Sequence, residues 1–170
     1  MAKPDKLRIP YEDFKYARFD CVGRLPDGTQ FMGYVTGAWP TGRAFDTSEG
    51  WRHRKTWIAV VHQFDADGNH IRSQSRLGGP DIQGRKVACD KAQAHRNEML
   101  AELFAEHGPP EYCDIWVRMF SVEVDGVTHK LFFGQWEEEP EPGEERLEWV
   151  RLESNDIEFH PPWNSGDYST

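Results

Sequence analysis

Cysteine and long apolar stretches are both scarce in this sequence. Only three of the 170 residues are cysteines (Cys21, Cys89 and Cys113), and such an odd, scattered set does not make a disulfide framework. No apolar run approaches the roughly 18 residues that a membrane-spanning helix needs. The segment from Met1 to Lys6 lacks the apolar core of a signal peptide. These absences predict a reduced, cytoplasmic protein with no membrane partner.

Short motifs that accompany common catalytic and metal sites are also missing. There is no phosphate-binding glycine loop, no Gly-x-Ser-x-Gly motif and no pair of cysteines or histidines at zinc-ligand spacing. Residues 65–69 (Asp-Ala-Asp-Gly-Asn) have alternating carboxylates, but a calcium loop requires its glycine two positions later. A hairpin turn explains that segment better. We therefore predict no metal, no cofactor and no catalytic residue, and leave enzymatic activity open as the less favoured alternative.

Charge is distributed unevenly along the chain. The formal net charge is −9, yet residues 1–60 sum to +3 and residues 111–170 sum to −11. Nucleic-acid binding depends on lysine and arginine displacing counterions from phosphates, so this balance predicts no nucleic-acid partner. An acidic surface favours encounter with a basic protein, because complementary charge accelerates association.

Turn signals divide most of the chain into predicted hairpins. Apolar alternation on either side of Asp-Gly turns is typical of paired antiparallel strands. The predicted strands cover 17–24, 30–38, 57–64, 70–77, 115–124, 127–136, 147–152 and 157–159. Residues 39–56 form a long irregular connection.

One segment has helical periodicity. Ala88, Ala92, His95, Met99 and Leu103 recur at the spacing of a single helix face, and Gly108 followed by two prolines ends the pattern. Asp90 and Gln93 have the spacing of a capping box, which predicts a helix over about 91–107. The fold class is therefore α+β: a mainly antiparallel sheet of about six to eight strands, with this helix packed on one face.

The predicted domain organisation is simple. All 170 residues form one domain. Residues 137–145 (Glu-Glu-Glu-Pro-Glu-Pro-Gly-Glu-Glu) are almost purely acidic and are predicted to form a mobile loop. Residues 157–170 contain three aromatic residues, which predicts an extended C-terminal segment docked on the domain.

The acidic segment leads to the main functional prediction. We predict a non-enzymatic protein-binding module, a regulator or an immunity-type inhibitor of a basic partner, in which glutamates steer association and tryptophans anchor contact. The predicted partner-binding residues are Trp136, Glu137, Glu138, Glu139, Glu141, Glu144, Glu145, Trp149 and Trp163.

A second prediction concerns the segment from Trp51 to Trp57. Its two tryptophans bracket a run of cations, a combination that holds anionic ligands by stacking and charge. It predicts an anionic-ligand site, or an unrecognised enzyme, that uses Trp51, Arg52, His53, Arg54 and Trp57. The other interpretation of this segment is structural, with Trp57 opening a core strand and the cations solvated.

Several short stretches also resemble a family of small bacterial proteins. They are Ile9-Pro10-Tyr11, residues 57–68, residues 114–123, Asp125-Gly126-Val127 and Pro161-Pro162-Trp163. In these stretches the chain resembles proteins labelled formate hydrogenlyase regulatory protein. The resemblance implies a cytoplasmic regulator that acts on a transcriptional activator, and it supplies no functional residue.

Overall fold

A long helix, a five-stranded sheet and a second five-stranded sheet are stacked in this order in the protein. A computed structural model describes residues 2–39 and 49–170. Its strands are β1 (Leu7–Ile9), β2 (Val22–Arg24), β3 (Gln30–Ala38), β4 (Thr56–Phe64), β5 (His70–Pro80), β6 (Glu111–Tyr112), β7 (Ile115–Val117), β8 (Phe120–Val124), β9 (Val127–Gln135), β10 (Glu148–Glu153), β11 (Ile157–Phe159) and β12 (Tyr168–Ser169). The helices are the single turn α1 (Trp51–Arg54) and the 23-residue α2 (Arg85–His107), with a 3₁₀ turn at Asp81–Gln83.

All strand pairs within residues 2–39 and 49–170 are antiparallel. The first sheet has the order β5-β4-β3-β2-β6 and the second has the order β12-β11-β10-β9-β8, while β1 and β7 pair separately. The α+β class with one main helix is confirmed, and the structure distributes twelve strands over these three sheets rather than the six to eight expected of one. None of the described helices is long and apolar enough to cross a membrane.

Strand β4 explains the layering. Ile58 and Val60 point into the apolar core that the two large sheets share, whereas Ala59 and Val61 point to the opposite face and pack against α2. Side chains alternate between the two faces of a strand, so an uninterrupted apolar run becomes a strand that is buried on both faces.

Helix α2 begins earlier than predicted. It starts at Arg85 after Gly84, and the expected capping box does not form: Asp90 lies within the helix and accepts a hydrogen bond from Lys86 Nζ over 2.5 Å. The predicted strand 115–124 is also divided, because β7 pairs with β1 while β8 pairs with β9. A helix that starts six residues earlier brings Arg85 to the end of the first sheet.

The acidic segment lies in a connection between two strands of the second sheet, and the C-terminal segment contains strands β11 and β12 of the same sheet. Residues 137–145 connect β9 to β10 and every one of them is exposed. In the C-terminal segment, β12 pairs with β11, Trp163 is 9% exposed, and Tyr168 lies edge-on to Phe19 with ring centroids 5.2 Å apart.

Candidate functional site: a cationic cleft between the sheets

A cleft of about 860 Å³ opens where the end of β3 meets the turns of the second sheet. The size is within the range of small-molecule binding sites. Both sheets and the first residue of α2 contribute to its walls. The residues that line it are Arg18, Val35, Thr36, Gly37, Ala38, Trp39, Lys55, Trp57, Arg85, Gly126, Val127, Thr128, Lys130, Arg151, Glu153, Ser154, Asn155 and Asp156.

The Lys55 ammonium lies among tryptophan rings. Lys55 Nζ is 4.7 Å from the ring centroid of Trp57, 5.4 Å from that of Trp39 and 5.8 Å from that of Trp51. Each distance is within the range of a cation–π contact. The rings therefore hold the lysine head group at the cleft wall, and they do so without neutralising its charge.

Trp57 is itself fixed in orientation. Its indole N–H donates to Asp81 Oδ1 over 2.9 Å, and Arg52 donates from Nε to the other carboxylate oxygen, also over 2.9 Å. Burial alone would raise the pKa of Asp81, but these two hydrogen bonds, together with the positive charges of Arg52 and Lys55, outweigh burial and leave the pKa below its ordinary value. The guanidinium of Arg85 lies 5.2 Å from the same Trp57 ring centroid. One immobilised indole thus carries two cations, Lys55 and Arg85.

The five cations of the cleft differ in how they are compensated. Lys130 pairs with Glu153 over 3.0 Å, and Arg151 pairs with Glu158 over 2.9 Å. The other three are Arg18, Lys55 and Arg85. Among the described residues, none of these three has a carboxylate within 4 Å. The uncompensated positive charge of the cleft lies on these side chains.

Below the cleft, polar side chains extend into the apolar core. Ser154 Oγ is 2.7 Å from His129 Nδ1, and the Tyr34 hydroxyl is 2.7 Å from His62 Nε2. On its other side, His62 Nδ1 lies 2.5 Å from Ser73 Oγ. The Tyr34 hydroxyl is 3.4 Å from both Ser154 Oγ and His129 Nδ1, so the two groups of side chains adjoin.

Burial determines the charge state of these groups. It lowers the pKa of His129 to about 4, and it holds the pKa of His62 well below the ordinary value, with smaller contributions from neighbouring histidines. Burial also raises the pKa of Tyr34. All three are therefore neutral at pH 7. Neutral imidazole has one donor and one acceptor nitrogen, so each histidine can pass or accept a proton along its hydrogen bonds.

The structure brings only one of the five predicted ligand residues to the cleft. Trp57 lines it, whereas Trp51 approaches it only through Lys55. Arg52 pairs with Asp81, and Arg54 donates to the Glu49 carbonyl. His53 is exposed on α1. Of the irregular connection predicted over 39–56, residues 40–48 lie outside the described residues.

The predicted partner-binding residues fall into three environments. Trp136 is 48% exposed. Trp149 is half-buried, edge-on to Phe132, and Trp163 is buried against Phe133. All six glutamates, Glu137, Glu138, Glu139, Glu141, Glu144 and Glu145, are exposed. Trp136 is therefore the tryptophan most open to a partner at this end of the second sheet.

Sequence reasoning missed most of the cleft. Arg18, Lys55, Arg85 and Ser154 come from separate parts of the chain, and no local spacing connects them. Within residues 2–39 and 49–170 there is no group of three or more histidine, cysteine or carboxylate side chains arranged to hold a metal ion.

Comparison with known proteins identifies no relative of this chain. No protein-family model, no curated protein and no solved structure matches this chain. The resemblance to formate hydrogenlyase regulatory proteins stays a prediction.

Proposed function

We propose that this protein binds a polyanionic small molecule in the cleft between its sheets. The observation that carries the proposal is the set of three cations, Arg18, Lys55 and Arg85, that face the cleft without a carboxylate partner among the described residues. In a chain of net charge −9, cations left uncompensated in one concave site are the opposite of the overall charge pattern. Charged groups in a cleft focus the local potential and concentrate counter-ions.

The charge balance of the cleft favours a ligand that carries more than one negative group. Five cationic side chains line it against two acidic ones, Glu153 and Asp156, and Glu158 pairs with Arg151 from outside the cleft, which leaves an excess of two positive charges. Hydroxyl and amide groups from Thr128, Ser154 and Asn155 are available to hydrogen-bond the uncharged part of a ligand. A compound with two or three phosphate or carboxylate groups fits this composition.

Isothermal titration calorimetry with pyrophosphate and with citrate tests the proposal. We expect Lys55→Met and Arg85→Gln each to weaken binding about tenfold or more, since a hydrogen bond to a charged group contributes roughly 1.5–3 kcal/mol. Binding should also weaken when salt rises from about 50 to about 300 mM, because the screening length shrinks.

Lys86→Gln is the matched control for those variants. Lys86 follows Arg85 on the same helical turn, but its side chain is 87% exposed, pairs with Asp90 and does not line the cleft. We expect the control to bind as the unchanged protein does. Equal affinities in all variants, or no heat with either anion, would overturn the proposal.

A second candidate function is the binding of a basic protein at the acidic segment 137–145. The observation that favours it is the exposed apolar pair at the base of the segment, because Trp136 is 48% and Leu147 69% exposed. The backbone N–H of Trp136 donates to the Leu147 carbonyl over 2.9 Å, which holds the two residues side by side. An aromatic anchor beside six glutamates suits a regulator or inhibitor of a basic partner. A cytoplasmic location is part of this proposal, supported by the three free thiols.

A comparative pull-down from host lysate tests this second candidate. The bait is the unchanged protein or a variant with all six glutamates replaced by glutamine, each at about 50 and about 300 mM salt. We expect one basic protein to be captured at low salt by the unchanged bait alone. The variant should melt at the same temperature, because the replaced side chains are exposed. Identical capture by both baits would remove the acidic segment from the mechanism.

A further inference from the structure

The cleft contains a hydroxyl and an imidazole that together have the geometry of a nucleophile and its base. We propose that Ser154 is the nucleophile, and His129 the general base, of an acyl-transfer site for esters or thioesters that carry anionic groups. The choice of anionic substrates depends on the anion-binding function proposed above. The pairing of Ser154 with His129 is a separate observation.

Geometry is the first argument. Ser154 lines the cleft, and its Oγ lies 2.7 Å from His129 Nδ1, within the range that a base needs to remove a hydroxyl proton. Ser154 is in the turn between β10 and β11 and has φ 82°, a left-handed conformation that is uncommon for a residue other than glycine. The turn thus holds the hydroxyl at the meeting point of cleft and core.

The state of the base is the second argument. His129 is completely buried, and its ring centroid lies 5.6 Å from that of His62, so packing fixes the imidazole. Burial keeps it unprotonated at neutral pH. Among the described residues, His129 Nε2 has no hydrogen-bond partner. The tautomer with the proton on Nε2 leaves the Nδ1 lone pair to accept the Ser154 proton.

Electrostatics give the third argument. A buried imidazole that gains a proton is disfavoured unless negative charge develops beside it, and attack by Ser154 on a carbonyl carbon creates such an oxyanion. The uncompensated cations of the same cleft, Lys55, Arg85 and Arg18, favour that developing negative charge. They also select substrates with anionic groups.

The reaction balances with water alone. Ser154 Oγ bonds to the carbonyl carbon, its proton passes to His129 Nδ1, and the carbonyl electron pair moves to oxygen. Collapse of this intermediate breaks the bond to the alcohol or thiol, which leaves with the proton from His129. Water then attacks the acyl-serine with the same base, releasing the acid and restoring the Ser154 hydroxyl.

Covalent labelling with an uncharged alkyl fluorophosphonate tests the pair without requiring anion binding. An activated serine oxygen bonds to the phosphorus of the probe as the P–F bond breaks and fluoride leaves, and peptide mass spectrometry locates the adduct. Ser73 is an internal control: its Oγ is 2.5 Å from His62 Nδ1 and 2.7 Å from His70 Nε2, but it does not line the cleft. We expect the adduct at Ser154 alone and its loss in Ser154→Ala. An adduct at Ser73, or none in the folded protein, overturns the proposal.

Two further readouts separate catalysis from a structural role. His129→Asn should slow labelling about 100-fold or more, the usual contribution of a general base, in variant protein shown by circular dichroism to be folded. The labelling rate of the unchanged protein should be flat between pH 6 and 8, because the base is already unprotonated. A tenfold rise per pH unit would mean that hydroxide rather than His129 acts, and would overturn the assignment.

Calorimetry with pyrophosphate distinguishes this inference from the function on which it depends. Pyrophosphate binding without a Ser154 adduct overturns the assignment of Ser154 as nucleophile and leaves the proposal of anion binding intact. A Ser154 adduct without pyrophosphate binding supports the nucleophile and overturns the anionic substrate class. Both results together support the full proposal.

Discussion

The side chain of Lys55, the residue just before β4, packs directly against Gly37 of β3. A Cβ atom built on Gly37 would come within 2.5 Å of Lys55 Cε and 3.4 Å of its Nζ. The absence of a side chain at Gly37 therefore allows the lysine stem to cross β3 and to place its ammonium among the tryptophan rings. The position of the Lys55 charge in the cleft therefore depends on the absence of a side chain at Gly37.

Gly37→Ala should therefore weaken pyrophosphate binding with little change in stability. The methyl group displaces the flexible end of Lys55, and we expect the affinity measured by calorimetry to fall about tenfold, as for loss of the ammonium itself. Gly33→Ala on the same strand is the control, because its nearest neighbours lie at an ordinary 3.6 Å and belong to α2. Unchanged affinity in Gly37→Ala would show that the position of Lys55 does not matter.

Asp81→Ala should destabilise the protein by about 1–3 kcal/mol. The change leaves the Trp57 indole N–H without its acceptor, and Trp57 is only 8% exposed, so the donor stays buried and unsatisfied. Urea unfolding measures the difference. Asp81→Asn retains a carbonyl oxygen for the indole and should recover part of the loss. If Asp81→Ala is as stable as the unchanged protein, the indole has another partner.

Much of the fold follows from local patterns. The alternation in residues 30–38 and 157–159 predicts β3 and β11 with the bounds that the structure shows. By contrast, the two residues of β12 are too few to show any periodicity, and β1 was not predicted because it pairs with β7, more than 100 residues away in the chain. Division of the strands into two large sheets was not predictable, since Tyr34 and Leu152 meet in one core only through tertiary packing.

The candidate site is less accessible to sequence reasoning than the fold. Trp57 was identified because aromatic and basic residues cluster near it in the chain. His129 lies in β9 and Ser154 lies 25 residues later, in the turn after β10, and the pairing of β9 with β10 brings the two side chains together. The sequence predicts Arg52 as a ligand-binding residue, but in the structure its guanidinium is hydrogen-bonded to Asp81. Composition shows which charges exist, whereas tertiary structure decides which are already paired.

The two tryptophans that flank segment 137–145 should respond differently to truncation. Trp149 is half-buried, its ring lies on Gly134, and Arg151 lies 4.4 Å from the ring centroid. Trp149→Ala should lower the free energy of unfolding, measured in urea, by about 2 kcal/mol. This is less than the roughly 3–5 kcal/mol lost when a fully buried aromatic side chain is truncated. Trp136→Ala should cost almost nothing, because half of that side chain is exposed. Equal costs would contradict the assignment of Trp136 as the exposed anchor.

Stability should fall when the pH drops from 7 to 5.5. Burial holds the pKa values of His62 and His129 below the ordinary value of 6.5 in the folded protein, whereas both return to it on unfolding. Below pH 6.5 the unfolded chain therefore binds more protons than the folded protein, which lowers the free energy of unfolding. This loss of stability continues down to about pH 4, the pKa of His129 in the folded protein. We expect each histidine to account for about 1 kcal/mol between pH 7 and 5.5, above the range in which carboxylates titrate.

Urea unfolding at the two pH values measures this loss, and two variants assign it. His129→Asn removes one of the histidines whose pKa burial lowers (the others are His62 and His70), so the difference in free energy of unfolding between pH 7 and 5.5 should fall by about 1 kcal/mol. His53→Gln should leave the difference unchanged, because His53 is exposed on α1. The polar side chains beneath the cleft thus make stability decline with acidity. A free energy of unfolding that is constant from pH 7 to 5.5 would mean that these imidazoles are hydrated, contrary to their burial in the core.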